Sequence, residues 1–218
     1  MTAITFSSAE RALGKTRLRV SPMAWGMWRF AGDDVAAAQE RVEAALAAGF
    51  TLLDTADVYG LDNGEAFGAA EALLGRVLKA SPSLRGRFVL AGKAGIWPGT
   101  PYDSSEAYLT AAVEASLKRM NVERIDLFQI HRPDVLTHPA DLARTLEKLQ
   151  SAGKIGEVGV SNFTPAQTSA LAAHLHLPLA STQVEYSPAA IGPLTDGTLD
   201  QALETGLGVL AWSPLAGG

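Results

Sequence analysis

The chain has 218 residues, 47% of them apolar and 19% charged, which is enough for one sizeable hydrophobic core and short for two. A formal net charge of -5 offers no attraction to nucleic acid or to an anionic membrane, so neither is expected as a partner, while a small neutral or anionic organic substrate is compatible with it. The lack of cysteine excludes disulfides, thiolate metal sites and a cysteine nucleophile. No basic start leads into an apolar run, and no uncharged stretch reaches the roughly 18 residues of a membrane span, which together predict a cytoplasmic protein.

In chain order, residues 11–20 place Gly14-Lys15 between alternating side chains and predict a small hairpin. A strand at 20–26 precedes a helix at 33–48, where Val35, Ala38, Val42, Ala45 and Leu46 recur at helical spacing and Asp33 or Asp34 supplies the cap. A strand at 51–54, a helix at 65–80 and a strand at 88–93 follow, then a helix capped by Ser104 or Ser105 that runs to Met120. Next come a strand at 125–131 and a helix at 139–152 stopped by Gly153, then a strand at 155–160 and a helix opened by Thr164-Pro165. A strand at 179–184, a short helix at 199–205 and a strand at 209–212 complete seven strands and six intervening helices.

Such alternation predicts parallel strands with crossover helices, because consecutive parallel strands need long connections. Two architectures compete, a doubly wound open sheet and a (β/α)8 TIM barrel. The turn after the first strand reads Ala24-Trp-Gly-Met-Trp-Arg-Phe30 and lacks the glycine fingerprint of an open-sheet nucleotide site. Polar or aromatic residues end nearly every strand, as a barrel ringed by functional loops requires, so the barrel is preferred, with residues 1–218 as one domain.

Asp54, Tyr59, Lys93 and His131 each fall at or just past a strand end, where side chains from successive parallel strands converge. A phenol titrates near pH 10 and is a poor donor at neutrality unless an ammonium beside it favours the phenolate. Lys93 is the candidate ammonium, and Asp54 its counter-ion. His131 can hydrogen-bond a substrate oxygen beside the phenol, which makes this a general-acid site for a carbonyl. His138, His174 and His176 read as surface or capping residues, no metal-ligand spacing involves them, and no metal is expected. Trp25 reads as core; Trp28 and Trp97 read, with His131, as substrate-pocket residues.

Asp54-Thr-Ala-Asp-Val-Tyr-Gly60 resembles the D-T-A-x-x-Y-G signature of the aldo-keto reductases, and Gly92-Lys-Ala-Gly95 and Gln129-Ile-His-Arg-Pro-Asp134 resemble the family's lysine and histidine segments. Gly159-Val-Ser-Asn-Phe163 and Gln183-Val-Glu-Tyr-Ser-Pro188 agree in order and approximate spacing. The resemblance implies NAD(P)H-dependent reduction of aldehydes or ketones in a (β/α)8 barrel, with NADPH the expected cofactor and NADH not excluded. Tyr59 would be the acid, Lys93 and Asp54 its tuning pair and His131 the orienter of the carbonyl. The cofactor would contact Gly26, Met27 and Asp54. Ser161, Asn162 and Gln183 would hold its carboxamide, Trp212 would stack on its ring, and Ser213, Pro214, Leu215 and Gly217 would approach its pyrophosphate. The alternative is a barrel of weak catalysis that acts as a cofactor-sensing or interaction subunit.

The sequence closes at Gly218, after the seventh strand, whereas a barrel of this kind has eight and about 250 residues. The expectation is therefore a fragment of a longer reductase. An eighth βα unit and the adenosine-gripping loop would lie on a C-terminal segment, joined or as a separate chain, and NADPH would bind weakly without them.

Overall fold

The computed structural model describes residues 9–99 and 101–217. Seven parallel strands run in sequence order through one curved sheet: β3 (Trp25–Gly26), β4 (Leu52–Asp54), β5 (Val89–Ala94), β6 (Ile125–Ile130), β7 (Ile155–Ser161), β8 (Leu179–Glu185) and β9 (Gly208–Trp212). Helices α1 (Val35–Ala47), α2 (Ala69–Ala80), α3 (Glu106–Met120), α4 (Pro139–Ser151), α5 (Pro165–Ala172) and α6 (Thr198–Thr205) alternate with them. This is the (β/α) barrel arrangement in α/β form, nearly closed, with β3 and β9 as its two outer strands among the described residues.

Helix starts follow local chemistry. Asp34 caps α1 by accepting from the Ala37 N–H at 3.0 Å, and Ser105 caps α3 by accepting from the Tyr108 N–H at 3.3 Å. Thr164 and Gln167 form a reciprocal capping box at α5, with Pro165 in the first turn. His138, one of the three histidines read as bland, is the cap of α4: its Nδ1 accepts from the Ala140 N–H at 3.1 Å.

Two elements differ from expectation. The strand predicted at 20–26 is split, because Val20 belongs to the hairpin of β1 (Arg11–Ala12) and β2 (Arg19–Val20), and only Trp25–Gly26 pairs with β4. Between them Pro22 has no N–H to give a ladder, and Ser21 instead exchanges hydrogen bonds with Thr51 at 2.8 and 2.9 Å. The helix predicted from residue 65 begins only at Ala69, after Gly68 takes a left-handed conformation, and Glu65 is used to accept from the Gly32 N–H at 2.7 Å.

Strand alternation divides the apolar residues into two cores. Leu53, Leu90, Phe128, Ile130, Val158 and Val160 face outward into a continuous layer with the helices. Leu52, Ala91, Leu127 and Ala180 face the barrel interior, where Leu13 and Val20 of the hairpin plug the floor. The plug fits because its turn residue Gly14 adopts φ +56°, and a Cβ there would lie 2.5 Å from the Ala180 carbonyl oxygen and 2.8 Å from the Gly208 nitrogen.

Helix α2 approaches α3 at Gly75, where an added Cβ would come within 1.9 Å of the Arg119 carbonyl oxygen. Alanine is the better helix former, yet here only backbone displacement would admit it. Gly75→Ala is therefore expected to destabilise the protein by about 1–3 kcal/mol in chemical denaturation, against the stabilisation that helix propensity alone would give.

Candidate active site

On the inner face the apolar layer gives way, two residues further along each strand, to polar side chains. Leu52 is followed by Asp54, Ala91 by Lys93 and Leu127 by Gln129, and Lys93 and Gln129 are direct register partners. Lys93, 1% exposed, places Nζ 2.5 Å from Asp54 Oδ2. The other carboxylate oxygen, Oδ1, accepts from Gln129 Nε2 at 3.3 Å and from Gln183 Nε2 at 3.2 Å, and Ser181 Oγ donates to Gln129 Oε1 at 3.3 Å. The pair is thus enclosed in a ring of amides, which lowers the cost of burying two charges. Burial alone would pull the Lys93 pKa down, but the charge of Asp54 and then that of Tyr59 overcome it, so the net shift is upward and Lys93 stays an ammonium.

Tyr59 stands in the loop after β4. Its backbone is fixed at both ends, by its N–H to the Ala56 oxygen at 3.1 Å and by its carbonyl, which accepts from the Ala70 N–H at 3.2 Å. Lys93 Nζ lies 5.1 Å from the ring centroid, and the His131 ring meets the phenol edge-on with centroids 5.9 Å apart. The sequence predicted a phenol pKa lowered by Lys93. The structure gives a pKa above the ordinary value, because burial outweighs the charge and hydrogen bond of Lys93, and Asp54 adds to the rise. Lys93 still favours the phenolate in relative terms; the phenol is simply fully protonated before any transfer.

His131 follows β6 and is neutral. Burial first, then the nearby Lys93 and Arg132, push its pKa down to about 2. Its Nδ1 is buried without a hydrogen-bond partner, an orphan that a ligand could satisfy. The unfolded chain takes up a proton on this histidine near pH 6.5 and the folded chain does not, so its contribution to stability falls as pH drops from 6.5 towards 2.

The Aldo/keto reductase family model matches residues 22–218. The chain is 52% identical over its whole length to a 6-dehydroglucose reductase of Novosphingobium aromaticivorans, of which it covers 72%. The chain belongs to the aldo-keto reductase family. A second 6-dehydroglucose reductase, from Agrobacterium fabrum, is 38% identical over 96% of the chain and 72% of its own length, and an L-glyceraldehyde 3-phosphate reductase of Escherichia coli is 34% identical over 95% of the chain and 62% of its own. As a member of this family the protein is an oxidoreductase.

Of the residues that the resemblance implies for the cofactor, Ser161, Asn162, Gln183 and Trp212 are joined by hydrogen bonds to one another and to His131, and Met27 stands apart. In this aldo-keto reductase Ser161 Oγ donates to the Gln183 carbonyl at 3.1 Å, and Asn162 Nδ2 donates to the His131 carbonyl at 3.2 Å and to Ser161 Oγ at 2.8 Å. Asn162, in a left-handed conformation at φ 59°, also accepts from Trp212 Nε1 at 3.0 Å, which fixes the half-buried indole at the rim. Ser213, Ala216 and Gly217 have φ of 48°, 55° and 93°, and the Ala216 N–H donates to the Ser213 carbonyl at 2.9 Å, which folds Pro214 and Leu215 into a tight turn just past β9. A stacked ring on Trp212 and an acceptor or donor for His131 Nδ1 fit a nicotinamide and its substrate. Gly26 is exposed at the end of β3, whereas Met27 is wholly buried in the outer core and presents no side chain to a ligand.

Trp28 is 43% exposed and donates from Nε1 to Asp62 Oδ2 at 2.8 Å. Trp97 packs on Phe67 and Tyr108, with centroids 5.2 and 6.4 Å away, so it walls a cleft of about 890 Å³ that also includes Asp57, Arg119 and Asp134 and none of the four central residues. Gln129 and Ser181 were missed from sequence, although a glutamine inside an apolar strand two residues before the histidine was a visible signal. His174 lies with its ring 5.7 Å from that of His138, and His176 pairs with Glu147 at 3.0 Å. Among the described residues no cluster of histidines and acids could hold a metal, and no helix is long and apolar enough to cross a membrane.

Removing one partner of a buried ion pair leaves the other charge uncompensated. Asp54→Asn should therefore destabilise by about 3–5 kcal/mol, and adding Lys93→Met should recover part of the loss, a coupling readable in a double-mutant cycle by urea denaturation.

Proposed function

We propose that the protein reduces an aldehyde or ketone to the alcohol with a reduced nicotinamide cofactor, NADPH in the first instance, and that the carbonyl is carried by an oxidised sugar of the kind named for its relatives at 52% and 38% identity. The observation that carries the reading is the buried constellation itself. A fully protonated phenol, a permanent ammonium and a neutral imidazole stand together at the carboxyl ends of neighbouring strands.

The bound cofactor would supply hydride to the carbonyl carbon. Tyr59 would give its phenolic proton to the carbonyl oxygen, which gains negative charge as its carbon is attacked. The phenolate left behind is stabilised by Lys93, whose position Asp54 secures through the 2.5 Å contact. His131, being neutral, acts as a hydrogen-bonding partner that orients the carbonyl and does not compete as an acid. Ser161, Asn162, Gln183 and Trp212 would hold the nicotinamide end, and the loop of Ser213, Pro214, Leu215 and Gly217 the phosphates. Bulk water then reprotonates Tyr59.

Removing the phenolic oxygen tests this. Tyr59→Phe should lower kcat/KM for NADPH-dependent reduction of 6-dehydroglucose by about 10²–10⁴-fold, followed by loss of reduced-nicotinamide absorbance. Retention of more than a tenth of the activity would remove Tyr59 from its role.

A further inference from the structure

The loop after β3 carries an indole at the carboxyl end of the barrel. Gly26, the last residue of β3, is the register partner of Asp54. The 3-10 turn Met27–Arg29 comes next, and Met27 and Phe30, 0% and 1% exposed, anchor it in the outer core and leave Trp28 and Arg29 exposed. An exposed indole turns about two side-chain torsions unless something holds it. Three contacts do. Trp28 Nε1 donates to Asp62 Oδ2 at 2.8 Å, the Trp28 carbonyl accepts from Asn63 Nδ2 at 2.7 Å, and the Arg29 guanidinium lies over the ring, 4.9 Å from its centroid.

Asp62 and Asn63 belong to the segment that carries Tyr59. The Asn63 and Glu65 N–H groups both donate to the carbonyl of Gly60, at 2.9 and 3.0 Å, which folds the segment back on the residue next to the phenol. Gly60 has φ +135°, and an added Cβ would lie 2.8 Å from the Ala69 Cβ, so the turn depends on glycine. With the Tyr59 carbonyl accepting from the Ala70 N–H at 3.2 Å, residues 59–70 form one braced unit, and the acceptor for the indole stands three residues past the phenol. Beyond the indole the two loops are joined again, by the Gly32 N–H to Glu65 Oε1 at 2.7 Å, and Arg76 Nη2 donates to the Gly32 carbonyl at 3.3 Å. Hydrogen bonds made in water add little to stability; their effect here is to fix a direction.

We propose that Asp62 and Asn63 are positioning residues that hold the Trp28 indole in a set place relative to the Tyr59 phenol, as a platform for the carbon face of a sugar whose carbonyl is reduced, and that this platform selects sugar-sized aldehydes over short ones. The proposal rests on the reading of Tyr59 as the acid and of an oxidised sugar as substrate. A sugar ring has C–H faces that an aromatic plane can cover and a rim of hydroxyls that remains wet. Because the indole is ordered before the sugar arrives, binding does not bear the cost of immobilising it. An aldehyde of three carbons has no ring to lay on the platform.

The test compares 6-dehydroglucose with propanal on the full chain. Asp62→Ala should lower the ratio of kcat/KM for the sugar to that for propanal by about three- to tenfold, through KM for the sugar, with its kcat moved less than twofold. Asp62→Asn keeps an oxygen that accepts from the indole and should restore the ratio. In a Trp28→Phe background, Asp62→Ala should add nothing. In 15N-labelled protein the indole N–H resonance that Trp28→Phe removes should move upfield in Asp62→Ala and much less in Asp62→Asn. An unmoved ratio, equal effects of alanine and asparagine, or a further loss without the indole overturns the proposal while Tyr59-dependent reduction of propanal leaves the reading of Tyr59 standing. A wild type that reduces neither aldehyde overturns both. If Asp62→Ala fails to fold, Asn63→Ala, which releases the Trp28 carbonyl, must lower the same ratio, and an unmoved ratio there overturns the proposal.

Discussion

The ion pair of Lys93 and Asp54 governs the arrangement around it. A lysine with 0% side-chain exposure holds its charge only if an anion meets it, and the anion must itself be satisfied. That requirement brings in the side chains of Gln129 and Gln183 on β6 and β8, and through Gln129 the hydroxyl of Ser181. The buried charge on β5 therefore recruits polar side chains from three further strands, β4, β6 and β8, across the inside of the barrel, where apolar residues would otherwise close the core.

Those same contacts set what each titrating group can do. Lys93 is fixed as a cation, so it acts on the neighbouring phenol without exchanging its own proton. The same charge, with burial ahead of it, keeps His131 neutral and so available to accept or donate one hydrogen bond. Tyr59 lies between a cation that favours its anion and an apolar enclosure that disfavours it, and the enclosure prevails. Carbonyl reduction needs a donor that is loaded at the start and a conjugate base that is tolerated at the end; burial supplies the first condition and Lys93 the second.

Periodicity and punctuation made most of the architecture legible. The helices of the barrel stand close to where Val35, Ala38 and Val42 or the Thr164-Pro165 start placed them, because their apolar faces and caps are local properties. The first strand was read as continuous through Ser21 and Pro22, although proline cannot donate to a ladder, and the break is completed by Thr51, which is distant in the chain. In the site, Asp54 and Lys93 lie on strands and Tyr59 and His131 in the loops that follow, a placement that the chain order alone conveys. The direction of the Tyr59 pKa was not legible there, since it depends on how deeply the loop is buried, a tertiary quantity. Asp57, Glu71 and Arg119 escaped notice for the same reason: each looks like a solvated charge until α2 and α3 close over it.

The hairpin at the barrel floor has a bearing on how the chain is made. Leu13 and Val20 find their apolar partners on β4, β5, β6 and β8, and the Gly14 turn rests against Ala180 and Gly208. The plug, at residues 11–20, thus has its seat completed by strands far along the chain, up to β9. Until those strands are in place its side chains and the inner faces of the strands stay wet, and the loop that must close runs from the hairpin to β9, the kind of distant pairing that slows folding. Premature contacts of that unplugged interior with other chains are the natural hazard of the interval, and a chaperone's opportunity.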